Sequence, residues 1–315
     1  MGAWARAWAR FPPDNPAARG GRVGRAAVAM QRERIDSERW LCCTYPQFQD
    51  TTFALSWFVQ VAVLILSVVA LCFPATELLR VILWLELIVQ IVEFVWYTAI
   101  GIRYQFQGKS TGVSARYIDW VFTTPVMLCS IFLALAYFAN PCTRSADVAS
   151  EYWWVFLVLV LSDWAMLVFG WLVESGRFWR SRPERDRALF MALGFVPLCI
   201  PFVLMLCIER LEWETEEGLW LLILTWILWA GYGVVALFLV RPPVAAAGAP
   251  TSVADCDECV KRDQLKNAWY NVLDMVSKNL MGFIIAIVAL NAAGEGIGAD
   301  ENCAPPSAPP VAAMG

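Results

Sequence analysis

The stretch Val272–Leu290, VLDMVSKNLMGFIIAIVAL, is apolar at most of its positions yet holds two opposite charges, Asp274 and Lys278. At 1.5 Å per residue an α-helix of about 20 residues crosses roughly 30 Å of hydrocarbon. Six more stretches of this kind precede it: Phe53–Phe73, Leu78–Ile100, Trp120–Phe138, Trp153–Leu172, Ala188–Cys207 and Leu219–Val240. Most connecting segments are short and polar, which suits antiparallel neighbours. The pattern predicts an all-α fold, a bundle of seven transmembrane helices in one domain over residues 51–292. Composition agrees: of 315 residues 59% are apolar and 17% charged, against about 25% charged in soluble domains. An ordinary cytosolic enzyme is thereby excluded. Histidine is absent, which removes His-ligated metal sites, Ser-His-Asp triads and Cys-His pairs.

Two tails flank the bundle. Residues 1–50 are rich in Arg, Ala and Gly and lack the apolar core of a secretory signal. A disordered tail is expected there, with an Arg-rich transit peptide as the alternative. Residues 293–315 are rich in Gly, Pro and Ala, the composition of a second disordered tail.

Ionisable residues inside spans are costly and normally face the bundle interior. Here they are Glu86, Glu93, Asp163, Asp274 and Lys278, with Arg116 and Asp119 at the entry of the third span. Asp274 and Lys278 are four apart, one turn along one face. Arg116, Asp119 and Thr123 make a second stripe, and Glu86, Gln90 and Glu93 a third. A structural polar contact between helices explains many isolated cases, but three stripes with one lysine describe a charge cluster. A buried amine in that setting can form a Schiff base with an aldehyde, its positive charge balanced by the carboxylates.

Residues 116–125, RYIDWVFTTP, resemble the third helix of microbial (type 1) rhodopsins, and residues 273–279, LDMVSKN, resemble their seventh. The resemblance covers the bundle and neither tail. It implies a retinal pocket inside the bundle, with all-trans retinal bound by Lys278 as a protonated Schiff base. It further implies Asp119 and Asp274 as counterions, Asp119 being the proton acceptor, with Arg116 below them. Trp120 would stack on the polyene, beside Thr123 and Pro125, and Thr124 with Asp163 would link the third and fourth helices. Trp229 and Tyr232 resemble the family's sixth-helix pocket pair, though Gly233 replaces the usual proline; Trp226 and Trp229 could be that pair instead.

Three roles compete. Residues 86–94, ELIVQIVEF, resemble the glutamate-bearing second helix of channelrhodopsins, and Asn279 after the lysine resembles their pattern too. That resemblance implies an ion pathway of Glu86, Gln90, Glu93, Asn279 and Ser130, with Glu86 and Asn279 helping to form its gate and Gln60 or Ser56 completing it. Thr124, where algal channels carry cysteine, departs from it. A proton pump has its acceptor in Asp119, but Ser130 stands 11 residues further on, where many pumps carry a carboxylic donor. A pump would therefore be unassisted on that side. A light-gated channel ranks first, a light-driven proton pump second and a photosensor third. A seven-helix receptor or transporter without chromophore is the alternative of a different class. No enzymatic activity is implied.

Lys and Arg are distributed unevenly, nineteen on the N-terminal side of the spans against Arg80, Arg144 and Arg210 on the other. That bias places the N-terminus in the cytoplasm. The resemblance places it outside, and we follow the resemblance. Cys42, Cys43, Cys256 and Cys259 could pair as disulfides, bind zinc or remain free. The expected partners are the lipid bilayer of a plasma or organelle membrane and a transported ion, either a proton or a small cation, with anions open. A second copy of the chain joins them, since microbial rhodopsins commonly form dimers or trimers. The Arg-rich tail lacks interleaved aromatics, so nucleic acid is not expected.

Overall fold

A computed structural model describes residues 44–107, 113–175, 183–208, 216–240 and 253–294. Both tails lie almost entirely outside them, as do Cys42, Cys43 and the side chains of Cys256 and Cys259. All regular structure among the described residues is helical. Seven long helices are α1 (Thr44–Leu71), α2 (Glu77–Gln107), α3 (Val113–Ala139), α4 (Trp153–Ser175), α5 (Pro183–Cys207), α6 (Glu216–Leu239) and α7. The last runs through Val253–Asp274, a π-helical turn Met275–Asn279 and Leu280–Gly294. A two-turn helix, Ser145–Glu151, lies between α3 and α4.

Each long helix packs against its sequence neighbours and α7 closes on α1, so the seven form a ring, with α5 and α6 touching least. Six of the seven are long and apolar enough to cross a membrane. The exception, α2, carries Glu86, Gln90 and Glu93 at mid-length.

The distribution of polarity is inverted relative to a soluble protein. Phe58, Phe122, Val196 and Phe238 are each more than 60% exposed, while Gln60, Glu86, Gln90, Glu93 and Ser130 are 0% exposed. Large apolar groups outward and ionisable groups inward is what a hydrocarbon solvent selects.

Three helices begin seven or more residues earlier than hydropathy predicts, the first at Thr44 instead of Phe53. The third starts at Val113 instead of Trp120, which brings Arg116 and Asp119 inside it. The seventh starts at Val253 instead of Val272. Its added turns are polar, but Lys266, Asn267 and Asn271 point inward and are buried. Lys266, which the charge comparison counts outside the spans, is part of the bundle.

Candidate functional site

Lys278 sits in the π-helical turn of α7 and is 1% exposed. Such a turn replaces i→i+4 bonding with i→i+5 and leaves the local carbonyls less committed. The Lys278 carbonyl is met by Gln90 Nε2 of α2 at 3.2 Å. Gly282 makes that approach possible, since a Cβ there would lie 3.0 Å from the Gln90 amide nitrogen.

The Lys278 ammonium donates to Asp119 Oδ2 at 2.5 Å and lies 3.8 Å from Glu93 Oε1. Asp119 is carried by α3, and Thr123 Oγ1 bonds back to its carbonyl oxygen at 3.0 Å. A buried ion needs a partner of opposite charge and hydrogen bonds to its remaining atoms. Lys278 has the partner, but Asp119 Oδ1 and both Glu93 oxygens find no hydrogen bond among the described residues.

Asp274, one turn before Lys278, is fully engaged. Tyr97 and Tyr232 donate to it at 2.7 Å each, Trp120 Nε1 at 3.0 Å and Arg116 at 3.2 Å. Arg116 also donates to Asn271 Oδ1 at 2.6 Å and the Asn267 carbonyl at 3.3 Å, and its guanidinium stands 5.6 Å from the Tyr270 ring centre. Asn271 in turn reaches Thr52 of α1 at 3.3 Å. Four helices thus converge on one carboxylate, leaving only the Arg116 Nε without a partner.

A cavity adjoins Lys278, with about 800 Å³ of empty space counting what opens to the surroundings. Its lining includes Trp120, Thr124, Met127, Trp229, Tyr232 and Lys278. Trp229 is buried, whereas Trp226 is 47% exposed on the outer face. Tyr232 joins Ser277 at 2.9 Å as well as Asp274. Gly233 borders the cavity where a Cβ would come within 2.7 Å of Phe195. An apolar, aromatic chamber with one amine in its wall has the size and chemistry of a small-molecule pocket.

Thr124 Oγ1 lies 2.7 Å from both the Trp120 carbonyl and Asp163 Oδ2, joining α3 to α4. Beside it, Pro125 is buried inside α3 and cannot donate to the carbonyl of Val121. Trp164 Nε1 of α4 takes that carbonyl at 3.1 Å.

The second-helix stripe faces a different set of neighbours. Ser130 Oγ donates to Glu86 Oε1 at 2.5 Å, and Gln60 bonds Ser56 within α1 at 3.4 Å. Glu86 Oε2, Gln90 Oε1, Gln60 Oε1, Ser67 Oγ and both Asn279 side-chain atoms are buried without a partner.

Several contributors carried no signal strong enough to single them out. Tyr97 is four residues after Glu93 and Tyr270 four before Asp274, so extending each helical stripe by one turn would have reached them. A further ion pair, Lys266 to Glu174 at 2.8 Å with both side chains buried, joins α7 to α4, and Asp263 approaches the same ammonium at 3.3 Å.

The helical bundle has known counterparts. A viral rhodopsin, OLPVRII, shares 20% identity with a TM-score of 0.58, covering 77% of this chain and 98% of its own. Halorhodopsin from Halobacterium salinarum shares 16% at 0.58, covering 81% and 97%. The proton pumping rhodopsin AR2 from the marine alga Acetabularia acetabulum shares 22% at 0.50, covering 79% and 96%. At these identities the likeness concerns the fold. A search of curated proteins finds no match. The family model for Bacteriorhodopsin-like protein matches residues 47–292, so the chain belongs to this family of retinal-binding, multi-pass membrane proteins.

Proposed function

We propose that this chain is a photoreceptor in which Lys278 holds all-trans retinal and light opens a path for a proton or small cation along α1, α2 and α7. Retinal bound there supplies light absorption and a light-driven change of shape. The amine in the cavity wall, the aromatic lining and the cluster of carboxylates fit such a group. Asp119, in contact with the Lys278 nitrogen, accepts its proton. Asp274, held by four donors, stays in place. Loss of the Lys278–Asp119 pair then frees Glu93, and with it the contact between α2 and the π-helical turn.

The observation that carries the conducting role is the row of buried polar atoms without partners at Glu86, Gln90, Glu93, Gln60 and Asn279. Buried polar groups are otherwise almost always satisfied, and a wet seam is what ion passage through a bundle requires. Glu86, Gln90 and Asn279 form the gate in this reading.

A light-driven proton pump is the second reading. The 2.5 Å contact of Lys278 with Asp119 supports it, as do similar structures described as pumps. Photocurrent against holding voltage, with retinal supplied and asymmetric ion gradients, separates the two. Reversal near an ionic equilibrium potential supports conduction and names the ion. A current of one sign at every voltage overturns it in favour of pumping, and no current from a coloured, surface-expressed protein favours a sensor. The N-terminus is assigned to the outside, and an externally accessible C-terminal tag with a protected N-terminal one would reverse that assignment.

A further inference from the structure

The buried pair Glu86–Ser130 lies apart from the Lys278 cluster. Both side chains are 0% exposed, and the Ser130 hydroxyl donates to Glu86 Oε1 at 2.5 Å. The other oxygen, Oε2, has no partner, and no cation lies within ion-pair distance of Glu86 among the described residues. A carboxyl sealed from water with one hydroxyl beside it and no counter-charge is held as the neutral acid. Ser130 is the position where sequence alone leaves α3 without an acid, and the fold brings one there from α2.

Glu86 is two helical turns from Glu93, roughly 10 Å along α2. Gln90 lies between them, bonded to the Lys278 carbonyl. Asn279, with its amide unpartnered, follows Lys278 in sequence. Gln90 thus joins the helix that carries Glu86 to the turn that carries Lys278.

We propose that Glu86 is the acid that returns a proton to the Lys278 nitrogen after that nitrogen has passed its own to Asp119. This rests on the reading of Lys278 as the retinal-bearing residue. The O–H bond at Glu86 breaks and an N–H bond at Lys278 forms. The Ser130 hydroxyl stabilises the carboxylate left behind, which then takes a proton from water on the side where α7 ends. The acid of the light cycle has moved from the third helix to the second, so the cycle is assisted on this side after all.

Two measurements test it. In the full chain with retinal, flash spectroscopy follows how long the Lys278 nitrogen stays without its proton. Glu86→Gln prolongs that interval about 100-fold, the size of a lost general acid, and makes it depend on external pH, while added azide, a small diffusible acid, shortens it again. Glu86→Asp keeps most of the wild-type rate. An unchanged interval in Glu86→Gln overturns the proposal, as does prolongation by Asp163→Asn in its place. In the retinal-free chain, infrared spectroscopy reads the carboxylic C=O band directly: it disappears in Glu86→Gln and shifts in Ser130→Ala. Absence of a Glu86 band in the wild type removes the held proton and overturns the proposal. A colourless wild type with an intact Glu86 band overturns the Lys278 reading instead.

Discussion

The bundle differs on the two sides of Lys278. Towards the start of α7, Asp274 receives four hydrogen bonds and Arg116 spends its terminal nitrogens on Asp274, Asn271 and Asn267. Towards the end of α7, Glu86, Gln90, Asn279 and Ser67 leave atoms unpaired in an equally buried setting. A saturated network fixes geometry, because each member that moves strands several others. An unsaturated one is cheap to rearrange and ready to take water or an ion. One side of Lys278 is built to hold still and the other to change.

Four substitutions break or sharpen that contrast. Lys278→Ala has the largest effect, total loss of the visible absorption that retinal confers on the wild type; colour persisting in the variant would place the attachment elsewhere. On the saturated side, Arg116→Gln leaves Asp274 buried without its cation and costs about 3–5 kcal/mol, measured as denaturation of the purified protein in detergent. A loss below 1 kcal/mol there would mean that the network is not rigid. Lys266→Met strands Glu174 and costs about 3 kcal/mol, most of which Lys266→Met with Glu174→Leu recovers. Both single and double variants destabilised equally would show packing, not charge, to be the source. On the unsaturated side, Asn279→Ala removes no hydrogen bond and relieves an unpartnered buried amide, so it costs no more than about 1 kcal/mol, while altering the size or reversal potential of the photocurrent. A stability cost like that of Arg116→Gln would erase the distinction between the two sides.

The grouping of Arg116, Asp119, Asp274 and Lys278 was open to reading because each pair is spaced along one helix and stands against an apolar background. Spacing reports which residues share a face; it is silent about the partner across the gap. Ser130 therefore read as a missing acid, since its partner Glu86 is 44 positions away. The bonds of Tyr97 and Tyr232 to Asp274 were hidden for the same reason, as aromatics on apolar helices usually pack. Lys266 was hidden differently. The stretch Val253–Asp274 has a mean hydropathy below zero and reads as a connecting segment, yet α7 continues through it because its polar groups find partners inside the bundle. Hydropathy measures compatibility with lipid, and these residues never meet lipid.

The bond from Trp164 to the Val121 carbonyl has a mechanical consequence. Trp164 adjoins Asp163, and Pro125 adjoins Thr124, so α3 and α4 are pinned at two successive points by Thr124–Asp163 and Val121–Trp164. Sliding one helix past the other by a turn would expose a backbone carbonyl to hydrocarbon, at several kcal/mol. The two helices are keyed like a shaft in its slot, fixed in both rotation and translation. Asp119 rides on the keyed shaft, whereas α5 and α6 are the ring neighbours that touch least and form its loosest seam.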